Sequence, residues 1–412
     1  MKKTILIIGL FASFVILLSR CMNNQLEPGK DPRGNAYAGA ITCRQCHQAI
    51  YDSFLTTAHF KATSAAIAGN IQGNFDNGKN VFNYDSITKV IMEHRDSGYY
   101  QVLYKNGKQE AAYRFDVLFG NSHAQTSLYW NNDKPFELPV SWYHSANTWA
   151  TSPGYSSTTP NFGRFIGTDC FECHSSGIGS KLNASVKGIE QVMKKETLIY
   201  GIDCERCHGP ALAHVNYHLE NPNSKTPAFL VKTNTFTQQQ KLDACAVCHS
   251  GNDKMKMESR FKFKMSDTLS HFFMQRSRGN TTAFDVHGNQ YNLLLESKCF
   301  LEANNLTCNT CHDPHQGSKQ SLAFYSQKCM SCHKIETNNF CPQLASMGET
   351  IKTNCIDCHM PKQTSKAISF QTEGSNVQSA YLLRTHRIAV YEDSLKLQAS
   401  SSKSDSKNQS LH

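Results

Sequence analysis

The stretch Gly201-Ile202-Asp203-Cys204-Glu205-Arg206-Cys207-His208-Gly209-Pro210 contains two cysteines, two residues apart, with a histidine directly after the second. This Cys-x-x-Cys-His pattern is typical of haem attachment, because two thioether bonds tie the macrocycle to one short turn and the adjacent imidazole binds the iron. The pattern occurs seven times, which predicts seven covalently attached haem c groups. Motifs 1 to 7 are Cys43, Cys46 and His47; Cys170, Cys173 and His174; Cys204, Cys207 and His208; Cys245, Cys248 and His249; Cys308, Cys311 and His312; Cys329, Cys332 and His333; Cys355, Cys358 and His359.

Cysteine pairs have other uses, and three of them compete with haem attachment. Structural zinc sites use Cys-x-x-Cys pairs but do not need a histidine directly after every second cysteine. A disulfide scaffold suits short secreted chains and leaves the histidine unexplained, and iron–sulfur clusters use other cysteine spacings. With 17 Cys and 18 His in 412 residues, roughly 0.03 matches are expected by chance. The repeated pattern therefore favours haem.

The N-terminus predicts export. Lys2 and Lys3 precede an apolar run over residues 5–18, which is typical of a secretory signal and short for a membrane span. Residues 1–21 end at Cys21 and resemble a lipoprotein signal, in which that cysteine is lipidated, although Arg20 departs from the small residue usual there. An uncleaved anchor and cleavage elsewhere are the alternatives. Either way, we expect the mature chain in the periplasm or on the outer membrane as a lipoprotein.

The net charge does not indicate a nucleic-acid partner. The formal charge is +9, but this value omits two propionates per predicted haem, and no Lys/Arg stripe with interleaved aromatic residues is present. Hydrophobic residues make up only 39% of the chain, so the haems are expected to supply much of the apolar filling. The expected partners are redox proteins, either quinol-oxidising proteins or other cytochromes, with membrane attachment through Cys21.

The spacing of the motifs predicts the organisation of the chain. A polar tether over residues 22–39 leads to a first haem segment at 40–70, and a six-haem region follows at 165–392. Between them, residues 75–160 lack the motif and are predicted to form a β-rich insertion. Residues 98–104 read as a strand, Asn106-Gly107 as a hairpin turn and residues 111–118 as the returning strand. Residues 393–412 are predicted to be disordered.

The predicted fold class is therefore α+β with much irregular structure. It is a multihaem cytochrome c built on stacked haems, with an antiparallel β-sheet inserted between the first and second motifs. Outside that sheet we expect short helices and loops. Residues 186–200 and 238–249 have apolar patterns that predict helices.

Longer signatures around the motifs carry a family resemblance. The sequence resembles the large multihaem cytochrome c family that includes hydroxylamine oxidoreductase and its tetrahaem electron acceptor, a cytochrome c-554-like protein. The resemblance covers roughly residues 40–391, although no Cys-x-x-Cys-Lys motif occurs and there are seven motifs where hydroxylamine oxidoreductase has eight. The signatures are Ile50-Tyr51, Phe54 and His59 after motif 1; Leu138-Pro139-Val140-Ser141-Trp142, Trp149 and Ser152-Pro153-Gly154-Tyr155; Gly209-Pro210 with His214 after motif 3; Asp313-Pro314-His315 after motif 5; and Met360-Pro361 after motif 7.

The second axial ligand decides what each haem can do. His315 lies three residues after His312, and His214 six after His208, so neither can reach the opposite face of its own motif's haem and each is expected to serve a neighbouring one. His59 and His386 match ligand positions of the family. His123 and His287 follow apolar stretches and are further candidates, with a surface or hydrogen-bonding histidine as the alternative.

These candidates give four to six second ligands for seven irons. One or more haems are therefore expected to be five-coordinate, and no catalytic residue is assigned. The leading hypothesis is an electron carrier of a respiratory chain. The alternatives are an oxidoreductase for a small nitrogen or sulfur oxyanion and a subunit of a larger electron conduit.

Two cysteines lie outside the motifs and the signal. Cys299 and Cys341 both flank motifs, and their number is even in an oxidising compartment, which predicts a disulfide. Two buried free thiols are the alternative.

Overall fold

The fold is taken from a computed structural model that describes residues 31–185, 188–251, 254–274, 284–317, 321–337, 339–375 and 377–394. The predicted signal with Cys21, the tether up to residue 30 and the tail from residue 395 lie outside the described residues. In the described part of the chain, no helix has the length and apolar character needed to cross a membrane.

Most strands lie between motifs 1 and 2 and form two antiparallel sheets. A four-stranded sheet has the order β2-β3-β4-β5, and a larger sheet has the order β1-β6-β7-β8-β11, with β9 pairing both β7 and β10. The strands are β1 Thr63–Ala65, β2 Val81–Asn83, β3 Thr88–Arg95, β4 Gly98–Lys105, β5 Lys108–Arg114, β6 Val117–Phe119, β7 Ala124–Asn131, β8 Lys134–Glu137, β9 Val140–Tyr143, β10 Thr148–Thr151 and β11 Arg164–Phe165.

The predicted hairpin at Asn106-Gly107 is confirmed. Strands β4 and β5 pair around it, and both turn residues have positive φ (50° and 74°), as a two-residue hairpin turn requires. The returning strand is shorter than predicted, because the chain changes sheet: the N–H of Phe115 bonds Tyr99 in one sheet and that of Asp116 bonds Leu128 in the other.

A separate apolar core holds these sheets together. It takes side chains from both sheets, and these pack against one another. The buried side chains are Phe82, Tyr84, Val90, Met92, Phe115, Leu118, Leu138, Val140, Trp142, Trp149 and Phe162.

The rest of the described chain consists of short helices, loops and three further β-hairpins. The helices are α1 Ala40–Phe54, α2 Thr168–His174, α3 Cys204–His208, α4 Leu212–Glu220, α5 Gln238–His249, α6 Gln290–Leu295, α7 Lys298–Glu302, α8 Cys308–Cys311, α9 Leu322–Met330, α10 Leu344–Met347 and α11 Ile356–His359. The hairpins pair β12 Ser175–Ser185 with β13 Gly188–Tyr200, β14 Met255–Lys256 with β15 Phe273–Met274, and β16 Lys362–Phe370 with β17 Ser379–Arg384.

One of the two predicted helices is confirmed and the other is wrong. Residues 238–249 form α5, whose first turn is closed by a capping box between Thr237 and Gln240. Residues 186–200 fall instead mostly in β13, which pairs with β12 directly after motif 2. The cross-strand hydrogen bonds and the β-branched residues of this segment outweigh its weak helical period.

The expected tether also differs from the structure near its end. Arg33 is fixed to Asp31, Asp203 and Glu205, and the last two of these flank Cys204 in motif 3. Residues 31–39 are therefore held against motif 3 rather than forming a free linker.

Candidate functional site

The helices that carry motifs 3 and 5 are short and begin at capping residues. In motif 3, the Asp203 carboxylate accepts the backbone N–H of Arg206 at 2.7 Å and caps α3. In motif 5, a capping box between Thr307 and Thr310 begins α8. Local capping of this kind brings both cysteines and the following histidine to one turn.

The motifs meet through their thiols. Four pairs of thiols from different motifs lie close enough to shift each other's pKa in opposite directions: Cys43 with Cys204, Cys173 with Cys248, Cys245 with Cys308, and Cys329 with Cys355. Cys207 also acts electrostatically on Cys245, and Cys311 on Cys329. All seven motifs therefore belong to one connected group, whose order in space differs from the order in the chain.

Four motif histidines each face a second histidine that is distant in sequence. The ring centroids are 6.5 Å apart for His47 and His214, 6.0 Å for His249 and His59, 5.9 Å for His208 and His315, and 6.1 Å for His312 and His386. With metal–imidazole bonds of about 2 Å, an iron between two such nitrogens would separate the ring centroids by roughly 6 Å. Each pair thus has the spacing for two axial ligands of one haem.

The other three motif histidines have different surroundings. Phe119 lies parallel to His174 with ring centroids 5.2 Å apart. His333 Nδ1 is 2.9 Å from the carbonyl oxygen of Asn339, and His359 Nδ1 is 3.0 Å from that of Ala389. An Nδ1–H bonded to a carbonyl leaves Nε2 to bind a metal, as is usual for histidine ligands.

Three of these histidines contact solvent although protein atoms surround them. His59, His174 and His249 are exposed, yet burial is the main cause that lowers the pKa of each. For His59, burial together with the nearby charges of His249 and His312 lowers the pKa to about 4. An exposed side chain with protein around it lies in a concave place, which leaves room for a bulky prosthetic group.

The two remaining candidate ligands, His123 and His287, are not members of the four histidine pairs. His123 packs edge-on against Tyr381, with ring centroids 5.7 Å apart. His287 follows Asp285, and its charge contributes to the lowered pKa of His174, after burial. Of the two, His287 is the one near a motif histidine.

The predicted disulfide between Cys299 and Cys341 is wrong in this structure. Both are free thiols. Cys299 acts electrostatically on Cys311 and Cys329, whereas Cys341 acts on Cys358. The two cysteines belong to the surroundings of different motifs, which sequence position alone did not reveal.

The sequence analysis missed a set of buried charged residues. Glu172 and Glu205 each lie between the two cysteines of a motif and are buried. Glu172 is paired with Lys256 and Arg260, and Glu205 with Arg33. An acidic residue inside a motif could have suggested a buried cation nearby, but its partner could not have been named.

Two comparisons bear on this arrangement. The sequence profile of the family described as Cytochrome c554 and c-prime matches residues 123–209, which include motifs 2 and 3. The fold is similar to the crystal structure of outer cell wall cytochrome OcwA, with a TM-score of 0.50 and 15% sequence identity over 88% of this chain and 82% of that chain. No curated protein matches the sequence. The family model supports a c-type cytochrome over the residues that it matches, and the likeness to OcwA supports the fold alone.

The matched family model agrees with the covalent haem c predicted from the motifs. Among the described residues, no three His, Cys, Asp or Glu side chains converge into a metal-binding group. The motif cysteines would hold the haems and the motif histidines would bind their irons. The haems would supply the one-electron chemistry.

Proposed function

We propose that the protein is an exported seven-haem c-type cytochrome that transfers electrons between redox partners in a respiratory chain. The observation that carries the proposal is the set of four facing histidine pairs. An iron with two imidazole ligands has no open position, so it exchanges electrons and does not bind a substrate. The partners are redox proteins that dock where a haem edge reaches the surface.

The connected thiols support a continuous route. Motif 1 meets motif 3 through Cys43 and Cys204, and motif 4 meets motif 5 through Cys245 and Cys308. Motifs 6 and 7 meet through Cys329 and Cys355. Because each thiol would carry one edge of a haem, neighbouring motifs would bring their haems together.

Export is part of the proposal. The similar solved structure is described as an outer cell wall cytochrome. This agrees with the signal predicted from Lys2, Lys3 and the apolar residues that follow them. The periplasm and the outer surface, with attachment through Cys21, are the compartments we propose.

The proposal is tested by counting haems and classifying their irons. The purified protein should have the mass of the chain plus seven haems and a pyridine haemochrome absorbance for seven haems per chain. Electron paramagnetic resonance should show at least four low-spin irons. Fewer than four low-spin irons, or a mass with no haem, would overturn it.

A second function rests on His174, His333 and His359, whose described contacts are with Phe119 and with backbone carbonyls. A five-coordinate haem at one of them would allow an oxidoreductase for a small nitrogen or sulfur oxyanion. High-spin signals that change on addition of nitrite, hydroxylamine or sulfite would favour this function. A spectrum that does not change on addition of nitrite, hydroxylamine or sulfite would exclude this second function.

A further inference from the structure

Buried carboxylates surround the contact between motifs 1 and 3. The Arg33 guanidinium lies 2.8 Å from Asp203, 2.9 Å from Asp31 and 3.2 Å from Glu205. Glu205 also accepts the backbone N–H groups of Ala38, Gly39 and Ala211. All these partners are donors, which is the pattern of an ionised carboxylate. Three carboxylates face the guanidinium groups of Arg33 and of Arg206, which lies inside motif 3 beside Cys207, and this leaves a net charge of −1 at motifs 1 and 3.

The contact between motifs 2 and 4 has more cationic side chains around it. Arg260 donates to the carbonyl of Val247 at 3.0 Å and lies 3.4 Å from Glu172. Arg206 donates to the carbonyl of Arg260 at 2.6 Å, and Lys256 pairs with Glu172 and with the exposed Asp169. Three cations against two carboxylates leave a net charge of +1 beside Cys173 and Cys248.

A further carboxylate on the same helix does not reverse this difference. Asp243 is buried on α5, where it accepts the side-chain amide of Gln239 and the N–H of Leu269. Arg206 acts on Cys207 as well as on Cys248 and is counted for both groups. With Asp243 included, the sum at motifs 2 and 4 becomes 0, which still exceeds the −1 at motifs 1 and 3.

Both groups of charges lie beside cysteines that would be bonded to haems. Asp203 and Glu205 flank Cys204, and Glu172 directly precedes Cys173. Arg260 donates to the carbonyl of Val247, the residue before Cys248. The haems would therefore experience these charges.

We propose that these buried charges give the haems of motifs 1 and 3 lower reduction potentials than the haems of motifs 2 and 4. The inference rests on the proposed electron-transfer function. Nearby negative charge favours ferric iron, which carries one more positive charge than ferrous iron, and nearby positive charge favours the ferrous form. Burial strengthens both effects because little water screens the charges. In a partly reduced molecule, an electron then resides on motifs 2 and 4 in preference to motifs 1 and 3.

Redox titration of holoprotein variants tests the inference. Glu205→Gln removes one negative charge and should shift the titration of about two of the haems to higher potential. Arg33→Gln removes the cation at the same place and should shift the same haems to lower potential. Arg260→Gln should shift a different pair of haems to lower potential, because it removes a cation beside motifs 2 and 4.

Asp52→Asn is the matched control for these variants. Asp52 lies on α1 with motif 1 but is about half exposed and paired with Arg44, so water screens its charge. Its titration should coincide with that of the unaltered protein. Seven haems per chain and an unchanged low-spin signal would establish that each variant is folded.

Three outcomes would overturn the inference. The first is that the haems shifted by Glu205→Gln titrate, in the unaltered protein, at a higher potential than those shifted by Arg260→Gln. The second is a shift no larger than that of Asp52→Asn, and the third is a shift of the same sign for Glu205→Gln and Arg33→Gln. Each could occur in a protein that holds seven haems, so it would leave the proposed function standing. Failure of the proposed function would show instead as a missing haem or missing low-spin iron in the unaltered protein.

Discussion

The imidazole rings of His59 and His249 lie 6.0 Å apart at an interplanar angle of 75°, although they are distant in the sequence. His249 is the histidine of motif 4, and His59 lies just beyond the helix that carries motif 1. The carbonyl of His59 accepts the N–H of Ile202 at 2.9 Å, so this loop is fixed to the segment that enters motif 3. One residue thus connects three motifs.

Replacing His59 should leave the iron of one haem without its second axial ligand. In His59→Ala, the iron bound by His249 would lose its second imidazole, and one of the seven haems should change from low-spin to high-spin and bind carbon monoxide. Magnetic circular dichroism of the ferric protein and carbon monoxide titration of the ferrous protein measure this change.

The control is His94→Ala, since His94 stacks on Tyr99 in the β-region with ring centroids 4.5 Å apart. It should leave every haem unaltered. Equal spectra for the two variants would contradict the pairing of His59 with His249.

Gly201→Ala should disturb the same haem through the backbone. Gly201 has φ 63°, and an added Cβ would lie 2.0 Å from the carbonyl oxygen of Phe60, next to His59. The variant should lose about 3 kcal/mol of unfolding free energy, in the range for overpacking, and should show part of one haem as high-spin. Denaturant unfolding and electron paramagnetic resonance measure the two effects.

Gly209→Ala distinguishes the effect of backbone strain from that of the steric clash expected in Gly201→Ala. Gly209 has a similar φ of 78°, but an added Cβ would meet only the Val231 side chain, at 4.0 Å. It should lose about 1–2 kcal/mol, the cost of a left-handed conformation for alanine, without a high-spin signal. A loss as large as that of Gly201→Ala would argue against the close contact with Phe60.

Asp203→Ala should weaken the start of motif 3. The Asp203 carboxylate caps α3 and pairs with Arg33, which keeps Asp31 and Glu205 as partners. The expected loss of unfolding free energy is about 1–2 kcal/mol, as for other N-cap replacements. Asp52→Ala, at an exposed ion pair, should change it by less than about 1 kcal/mol. An unchanged denaturation midpoint for Asp203→Ala would show that the cap contributes nothing.

Cys299 and Cys341 should react as thiols. Alkylation of the unfolded holoprotein without a reductant should add one group to each of them, because each lies near a different motif. Peptide mass spectrometry identifies the modified residues. Two unmodified cysteines joined in one cross-linked peptide would restore the disulfide predicted from the sequence.

The parts that could be predicted from the sequence depend on residues that are close together in the chain. The hairpin at Asn106-Gly107 and the helix over residues 238–249 follow from local turn and capping chemistry. The spacing of His312 and His315 indicates that they serve different haems, and the structure sets His315 against His208.

The parts that could not be predicted depend on contacts between distant segments. Residues 186–200 have an apolar pattern that also suits a helix, and only pairing with β12 makes most of them a strand. Arg33 lies in a polar stretch that resembles a linker, and nothing local indicates its partners Asp203 and Glu205. The sequence also could not predict which thiols lie close together, because the order of the motifs along the chain differs from their order in space.

The four histidine pairs have a consequence for the chain as a polymer. With an iron between its members, each pair would act as a cross-link that closes a long loop: 47 to 214, 59 to 249, 208 to 315 and 312 to 386. Each loop overlaps the next, so the four closures interlock from the first motif almost to the end of the described chain. Cross-links over long loops reduce the conformational entropy of the unfolded state. The cofactors would then restrain the unfolded chain in the way that interlocking disulfides do, without any disulfide.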